Sequence, residues 1–234
     1  MAQLFHTYLY NPILEALVFI YDKLAFHDLG FAIILLTIAV RVVLFPLFYK
    51  GAKDQTIMQR LQPEIRRVQK ELKTNKEEQA RALFALYKKN KINPLSGFFL
   101  LLIQLPIIIA LYQVFLKGLA NAAFDNKFFL SLIDLGAKSL PLAFLAAGLQ
   151  YVQAKMSLPK AKPSGADDHP MAAAGRTMLY ISPILTFSIL VYLPGALGVY
   201  WATSTIISIV QQIYINKKLN NRTAERRDIA SDPR

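Results

Sequence analysis

Residues 29–49 read LGFAIILLTIAVRVVLFPLFY. As a helix rising about 1.5 Å per residue, such a run is long enough to cross the ~30 Å apolar core of a bilayer. Arg41 sits near its middle, and no Asp, Glu, Lys or His accompanies it in the run. A charge at that depth costs on the order of 3 kcal/mol on insertion scales. Arginine keeps its proton, so it cannot escape by neutralising as a lysine could. Either an acid on another helix pairs with it, or water surrounds it.

Composition narrows the class. More than half of the 234 residues are apolar, and they fall in several separate runs. That pattern describes a polytopic membrane protein rather than one buried core. The chain has no cysteine, which removes disulfides, thiolate metal sites and Cys nucleophiles. Net charge is +12. In a membrane protein this excess suggests cytoplasmic loops facing anionic lipid, with an RNA-containing partner such as a ribosome as a second possibility. No specific nucleic-acid sequence is implied. Residues 1–28 carry Glu15 and Asp22 and lack a basic start, so they do not read as a cleavable signal peptide.

Leu14, Leu17, Val18, Tyr21 and Leu24 recur at helical spacing, interrupted by Glu15, Asp22 and Lys23. An amphipathic helix over 11–26, lying in the interface, is predicted within an external segment 1–28. The first span, 29–49, follows, kinked at Pro46. Residues 50–92 hold twelve Lys or Arg against five acids. One apolar seam runs Ile57, Leu61, Ile65, Val68, Leu72 and a second Ala80, Leu83, Phe84, Tyr87, with Thr74-Asn75 between them. Two antiparallel helices in a cytoplasmic hairpin are expected. An orienting loop needs no such helices, so the hairpin reads as a docking element, with Arg66, Arg67, Lys88 and Lys89 as candidate contacts.

The remaining spans are expected at 97–116, 139–156, 177–193 and 197–215. Between them lie an external loop 117–138, a Pro-rich cytoplasmic linker 157–175 and a tight external turn at Leu193-Pro194-Gly195. The tail 216–234 is basic and expected to be disordered. Every strongly basic segment then falls on one side, with the N-terminus outside and the C-terminus cytoplasmic.

Apart from tyrosines, Arg41 is the lone ionisable residue in the span interiors. No carboxylate neutralises it there, and no Asp, Glu or His relay supports a proton-coupled transporter. A protease hydroxyl would lack a base, so no enzymatic activity, cofactor or metal is implied. What remains is polar and uncharged. Thr37 stands four residues before Arg41. Trp201, Thr205, Ser208 and Gln212 share one helical stripe, with Tyr200, Ser204 and Gln211 beside it. Gln104, Gln150 and Gln153 add amides. Taken singly, such residues serve helix–helix hydrogen bonding. Taken with Arg41, they predict a hydrated groove.

Several motifs carry a resemblance: VRVVLFPL (40–47), LQPEIRRVQ (61–69), ALYKKNKINPLSG (85–97), LIQLPIIIALYQV (102–114) and GVYWATSTIISIVQQIYI (198–215). They resemble the YidC/Oxa/Alb family of membrane protein insertases, in its minimal five-span bacterial form. The resemblance implies an all-α protein of the bacterial plasma (inner) membrane, with five transmembrane helices around a hydrophilic groove. It assigns the groove charge to Arg41 and polar groove positions to Thr37, Gln104, Tyr200 and Trp201. Ser204, Thr205 and Ser208 extend that lining. Ile108 and Trp201 match the positions along which substrate slides. The implied partners are nascent membrane proteins, lipid, the ribosome and the Sec translocon. Neither the extra N-terminal span and large external domain of some members nor the lipidated Cys of others is found in this sequence. A channel or transporter, or an assembly scaffold docked through the hairpin, are the competing readings.

Overall fold

The computed structural model describes residues 2–120, 124–157 and 170–231. The chain is mainly helical. Helix α1 (Ala2–Phe5) runs through a π-helical turn (His6–Tyr10) into α2 (Asn11–Lys23). Helical structure therefore starts well before the expected residue 11 and ends short of 26. Phe26 and His27 stop it with φ of 51° and 56°. Asp28 then starts α3 (Leu29–Val43) by accepting from the Phe31 amide at 3.0 Å, one of the orphan donors of a helix start.

The expected first span is corrected. It breaks at Leu44, and α4 (Phe45–Arg60) leaves at 74° to α3. Pro46 explains the break, because it lacks the N–H that would bond the Val42 carbonyl and its ring crowds that turn. α4 then runs eleven residues past Tyr49, so what was expected as the start of the hairpin is a continuation of the bent pair. Among the described residues no single helix is long and apolar enough to cross a membrane; the α3–α4 pair passes that test together. Two shorter apolar stretches lie at Leu102–Leu116 and Leu179–Leu190.

After a second break at Leu61, α5 (Gln62–Glu71) and α6 (Lys76–Lys89) form the hairpin. Asn75 caps α6 by accepting from the Glu78 amide at 3.1 Å, and Gln79 Nε2 donates to the Gln69 carbonyl at 3.0 Å across the turn. Leu61, Ile65 and Ile92 form a core of their own, with Ile57, Met58, Leu83, Leu86 and Tyr87 packed on it. Phe84, expected on the seam, stands 70% exposed. At the base Asp54 is buried, accepting from Ser96 Oγ at 2.6 Å and facing the Asn93 amide at 3.5 Å. In the charge count Asp54 is one of the five acids of 50–92; in the structure it ties α4 to the start of α7 (Ser96–Ala120). Asp54→Ala leaves that hydroxyl and amide unpaired. It should cost about 1–3 kcal/mol, read as a lower melting temperature in detergent with faster proteolysis around 93–96.

The loop expected over 117–138 is not wholly irregular. Antiparallel strands β1 (Phe128–Phe129) and β2 (Ile133–Asp134) pair Phe128 with Asp134 and Phe129 with Ile133. This loop closes one end of the bundle. The Asn126 amide donates to Tyr21 Oη at 2.7 Å, the Leu130 amide to Asp28 at 2.7 Å, and the Gly195 amide to the Ala137 carbonyl at 2.8 Å. Helices α8 (Leu140–Met156), α9 (Pro170–Leu190) and α10 (Gly195–Ser231) complete the chain. Most of the expected Pro-rich linker, 158–169, lies outside the described residues, and its last part belongs to α9. The tail expected to be disordered continues α10 to Ser231. Residues 216–231 contain no Gly or Pro to stop a helix. Arg60 also braces this extension, reaching Asn220 Oδ1 at 2.8 Å and the Asn216 carbonyl at 3.4 Å.

α8 packs on α9 and α10, α10 on α3 and α4, α4 on α7, and α2 on α3 and α7. Gly198 lets α10 close on α8, since a Cβ there would stand 2.9 Å from that of Leu142. The main core collects residues of α2, α3, α7, α8 and α10, among them Leu17, Leu29, Ile33, Val114, Phe115 and Leu197. The outward faces are apolar as well. On α3 Phe31, Leu35, Ile38 and Val42 are exposed; on α7 Phe99, Leu102, Leu105 and Ile109; on α10 Ile206, Val210 and Ile213. Stripes at helical spacing on the outside, with polar residues turned inward, reverse the usual order of a water-soluble bundle.

Candidate functional site

The inward polar faces meet in one cavity of about 430 Å³. α3 contributes Arg41, and α4 contributes Phe48, Ala52 and Gln55. α7 adds Leu100, Gln104 and Ile108, while α8 and its end add Gln150, Gln153 and Ser157. α10 supplies the longest wall: Tyr200, Trp201, Ser204, Thr205, Ser208, Gln211 and Gln212. Among the described residues, Arg41 carries the one formal charge in this lining.

The environment of Arg41 explains how the charge is tolerated. Its Nη2 donates to Ser204 Oγ and, at 3.0 Å, to the Ser204 carbonyl. The guanidinium carbon stands 4.3 Å from the Phe48 ring centre. The carbonyl and hydroxyl oxygens satisfy donors, and the ring face attracts a cation. All three groups are neutral, so the positive charge persists in the cavity. The bend at Leu44 makes this possible, because it turns α4 so that Phe48 comes back over the side chain of Arg41.

Tyr200 accepts a hydrogen bond from Gln104 Nε2, joining α7 to α10. Gln212 Nε2 donates to Thr56 Oγ1 at 2.7 Å, joining α4 to α10. Thr205 and Ser208 hydroxyls bond their own helix, at the carbonyls of Trp201 (2.8 Å) and Ser204 (2.9 Å). They therefore present lone pairs to the cavity rather than free donors.

Of the residues singled out from the sequence, Arg41, Gln104, Tyr200, Trp201, Ser204, Thr205, Ser208 and Ile108 come together on this lining. Thr37 does not. It is buried, and its hydroxyl donates to the Ile33 carbonyl at 2.6 Å. The cavity extends from Arg41 towards α4, away from the preceding turn of α3. Phe48, Ala52, Gln55, Leu100 and Ser157 were not anticipated. The first three lie beyond the break at Leu44, and helical spacing counted from Arg41 does not carry one face across a 74° bend. The hairpin cations lie far along the chain from this cavity. Lys88 and Lys89 are exposed, Arg66 is half-buried, and Arg67 Nε donates to Glu71 at 2.7 Å. That carboxylate raises the pKa of the exposed Arg67 guanidinium above its ordinary value.

A helical bundle with apolar outer faces and a polar, singly charged cavity belongs to the membrane-protein class. A family model described as "60Kd inner membrane protein" matches residues 20–222. The chain is similar to the membrane protein insertase YidC of Fusobacterium nucleatum, with 30% identity over 91% of this chain and 98% of that protein. It is 34% identical to the insertase YidC of Geotalea daltonii over 89% of this chain, and 34% identical to that of Magnetococcus marinus over 93%. The chain spans 37% of the length of each of those two longer relatives. It belongs to the 60Kd inner membrane protein family, whose YidC members its motifs resemble.

Proposed function

We propose that the chain is a membrane protein insertase that also helps small membrane proteins fold. The observation that carries this reading is the unneutralised charge of Arg41 in a cavity otherwise lined by neutral polar and apolar groups. Five helical segments cross the bilayer, the first as the bent α3–α4 pair, with the N-terminus outside and the C-terminus in the cytoplasm. α8, at 17 residues, is about 25 Å long. Such a short span suits a locally thinned bilayer. Water in the groove lowers the cost of Arg41 and shortens the apolar distance that a polar tail must cross.

An incoming chain lays its short acidic tail in the groove, where Arg41 attracts it. Its apolar segment passes along Ile108 on α7 and Trp201 on α10 into lipid. Removing apolar surface from water, worth about 25 cal/mol per Å², supplies the drive. No bond is made or broken. The hairpin and the basic end of α10 receive the ribosome or the Sec translocon on the cytoplasmic side. Purified protein in liposomes, given a single-span protein with an acidic N-terminal tail, should protect that tail from external protease. An unprotected tail, with folded protein present in the vesicles, would leave no autonomous insertase.

A further inference from the structure

Among the described residues, four non-glycine residues outside the α5–α6 hairpin hold positive φ: Phe26 (51°), His27 (56°), and Leu130 (52°) and Ser131 (58°) in the β1–β2 hairpin. They lie in two loops that one side chain joins. Asp28 accepts from the Phe31 amide of α3 through Oδ1 and from the Leu130 amide through Oδ2 at 2.7 Å. Phe26 and Leu130, two of these left-handed residues, carry large apolar side chains that stand outward, as do those of Leu24 and Leu132 nearby in the chain. Phe26 is 94% exposed and Leu132 80%, with Leu24 and Leu130 both more than half exposed. Side chains of this size at strained positions are uncommon in a turn, where glycine or asparagine carries positive φ at little cost.

We propose that this knob is an interfacial anchor, which inserts into the headgroup boundary of the external leaflet and sets the depth of Arg41. The inference rests on the membrane reading above. The occupant is lipid, because the knob continues a surface that already faces lipid in that reading. Phe31 begins the exposed α3 stripe of Phe31, Leu35, Ile38 and Val42, and its ring meets Phe129 edge-on at 5.7 Å. The contact between hairpin and helix is tight. A Cβ on Gly30 would fall 2.0 Å from the Phe129 ring, so the β1–β2 hairpin packs directly on the backbone of α3.

The knob suits the interface rather than the apolar core. Asp125 and Asp134 flank the hairpin, and its tip backbone is only partly paired, which forbids deep insertion. Aromatic and leucine side chains rimmed by charge match the boundary zone. Geometry then gives a consequence. Ten residues separate Phe31 from Arg41, roughly 15 Å along a helix. With Phe31 held at the boundary, Arg41 lies near the midplane of a core about 30 Å thick.

The chain has no cysteine, so single labels are clean. Leu132→Cys, Ile38→Cys and Asp125→Cys, each carrying bimane, would be reconstituted in phosphatidylethanolamine–phosphatidylglycerol vesicles. Quenching would be read with shallow and deep doxyl lipids and with aqueous iodide. The anchor requires the Leu132 label to be quenched by the shallow lipid and shielded from iodide, the Ile38 label by the deep lipid, and the Asp125 label by iodide. A Leu132 label as open to iodide as the Asp125 label, with Ile38 still deep, overturns the anchor and leaves the spanning reading intact. Iodide quenching at Ile38 overturns both. In an Ile38→Cys background, adding Leu130→Asp and Leu132→Asp should shift the Ile38 signal between shallow and deep quenchers. An unchanged ratio removes the depth-setting role.

Discussion

Arg41→Ala should lower the protected yield of an acidic-tailed single-span substrate about tenfold, the equivalent of ~1.4 kcal/mol. Two charges 4 Å apart at an effective dielectric constant of 20 attract by roughly 4 kcal/mol, and loss of hydration takes back much of that. Arg41→Lys keeps the charge and should retain most of the activity, although a lysine ammonium must replace the one nitrogen, Nη2, that reaches both oxygens of Ser204. The substrate provides the internal control. Exchanging the tail acids for glutamine should make the wild type and Arg41→Ala nearly equal. Raised salt should narrow the gap for the acidic tail, because screening weakens attraction in a wet groove. Equal protection of the acidic tail by wild type and Arg41→Ala would remove charge attraction from the mechanism and leave groove hydration alone.

The same residue shows what was readable in advance. A charge in an apolar run, with no acid on any other run, demanded a polar cavity. The stripe on α10 was visible from its spacing, and Trp201, Thr205, Ser208 and Gln212 do share one wall. The bend was not visible. Pro46 suggested a kink, yet nothing local separates a kink from a 74° turn. A helix assumed to leave the membrane at Tyr49 hides the fact that Phe48, Ala52 and Gln55 turn back over Arg41. Thr37 was misplaced for a related reason: one turn along α3 keeps a residue near the Arg41 face, but the cavity lies only on the α4 side. Asp54 and Asp28 entered the sequence reading only through the charge balance of their segments. Their roles depend on amides distant in sequence, at Asn93 and Leu130, and such pairings follow from tertiary packing alone.

Replacing the hairpin beyond α4, residues 62–91, with a short Gly-Ser linker should abolish insertion while the bundle remains folded. The two halves of this expectation rest on separate cores. The hairpin packs on Leu61, Ile65 and Ile92, whereas among the described residues the main core draws nothing from 45–102. Its contacts at Tyr200, Leu142 and Phe115 are therefore untouched by the exchange. The cut must fall after Arg60. A deletion starting at residue 53 would also remove Asp54, Gln55 and Thr56, and with them the tie to Ser96, part of the cavity wall and the bond to Gln212. Such a variant would fail for reasons unrelated to docking. With α4 kept, Arg60 can still brace α10 through Asn220. The measurements are the melting temperature in detergent and tail protection in liposomes. An unchanged melting temperature with lost protection assigns the hairpin an active part in receiving substrate. Full protection would deny an active part to the nine cations removed with the hairpin and leave orientation to the positive charge that remains near the helix ends, such as Lys50, Lys53 and Arg60, a role that needs no helical structure.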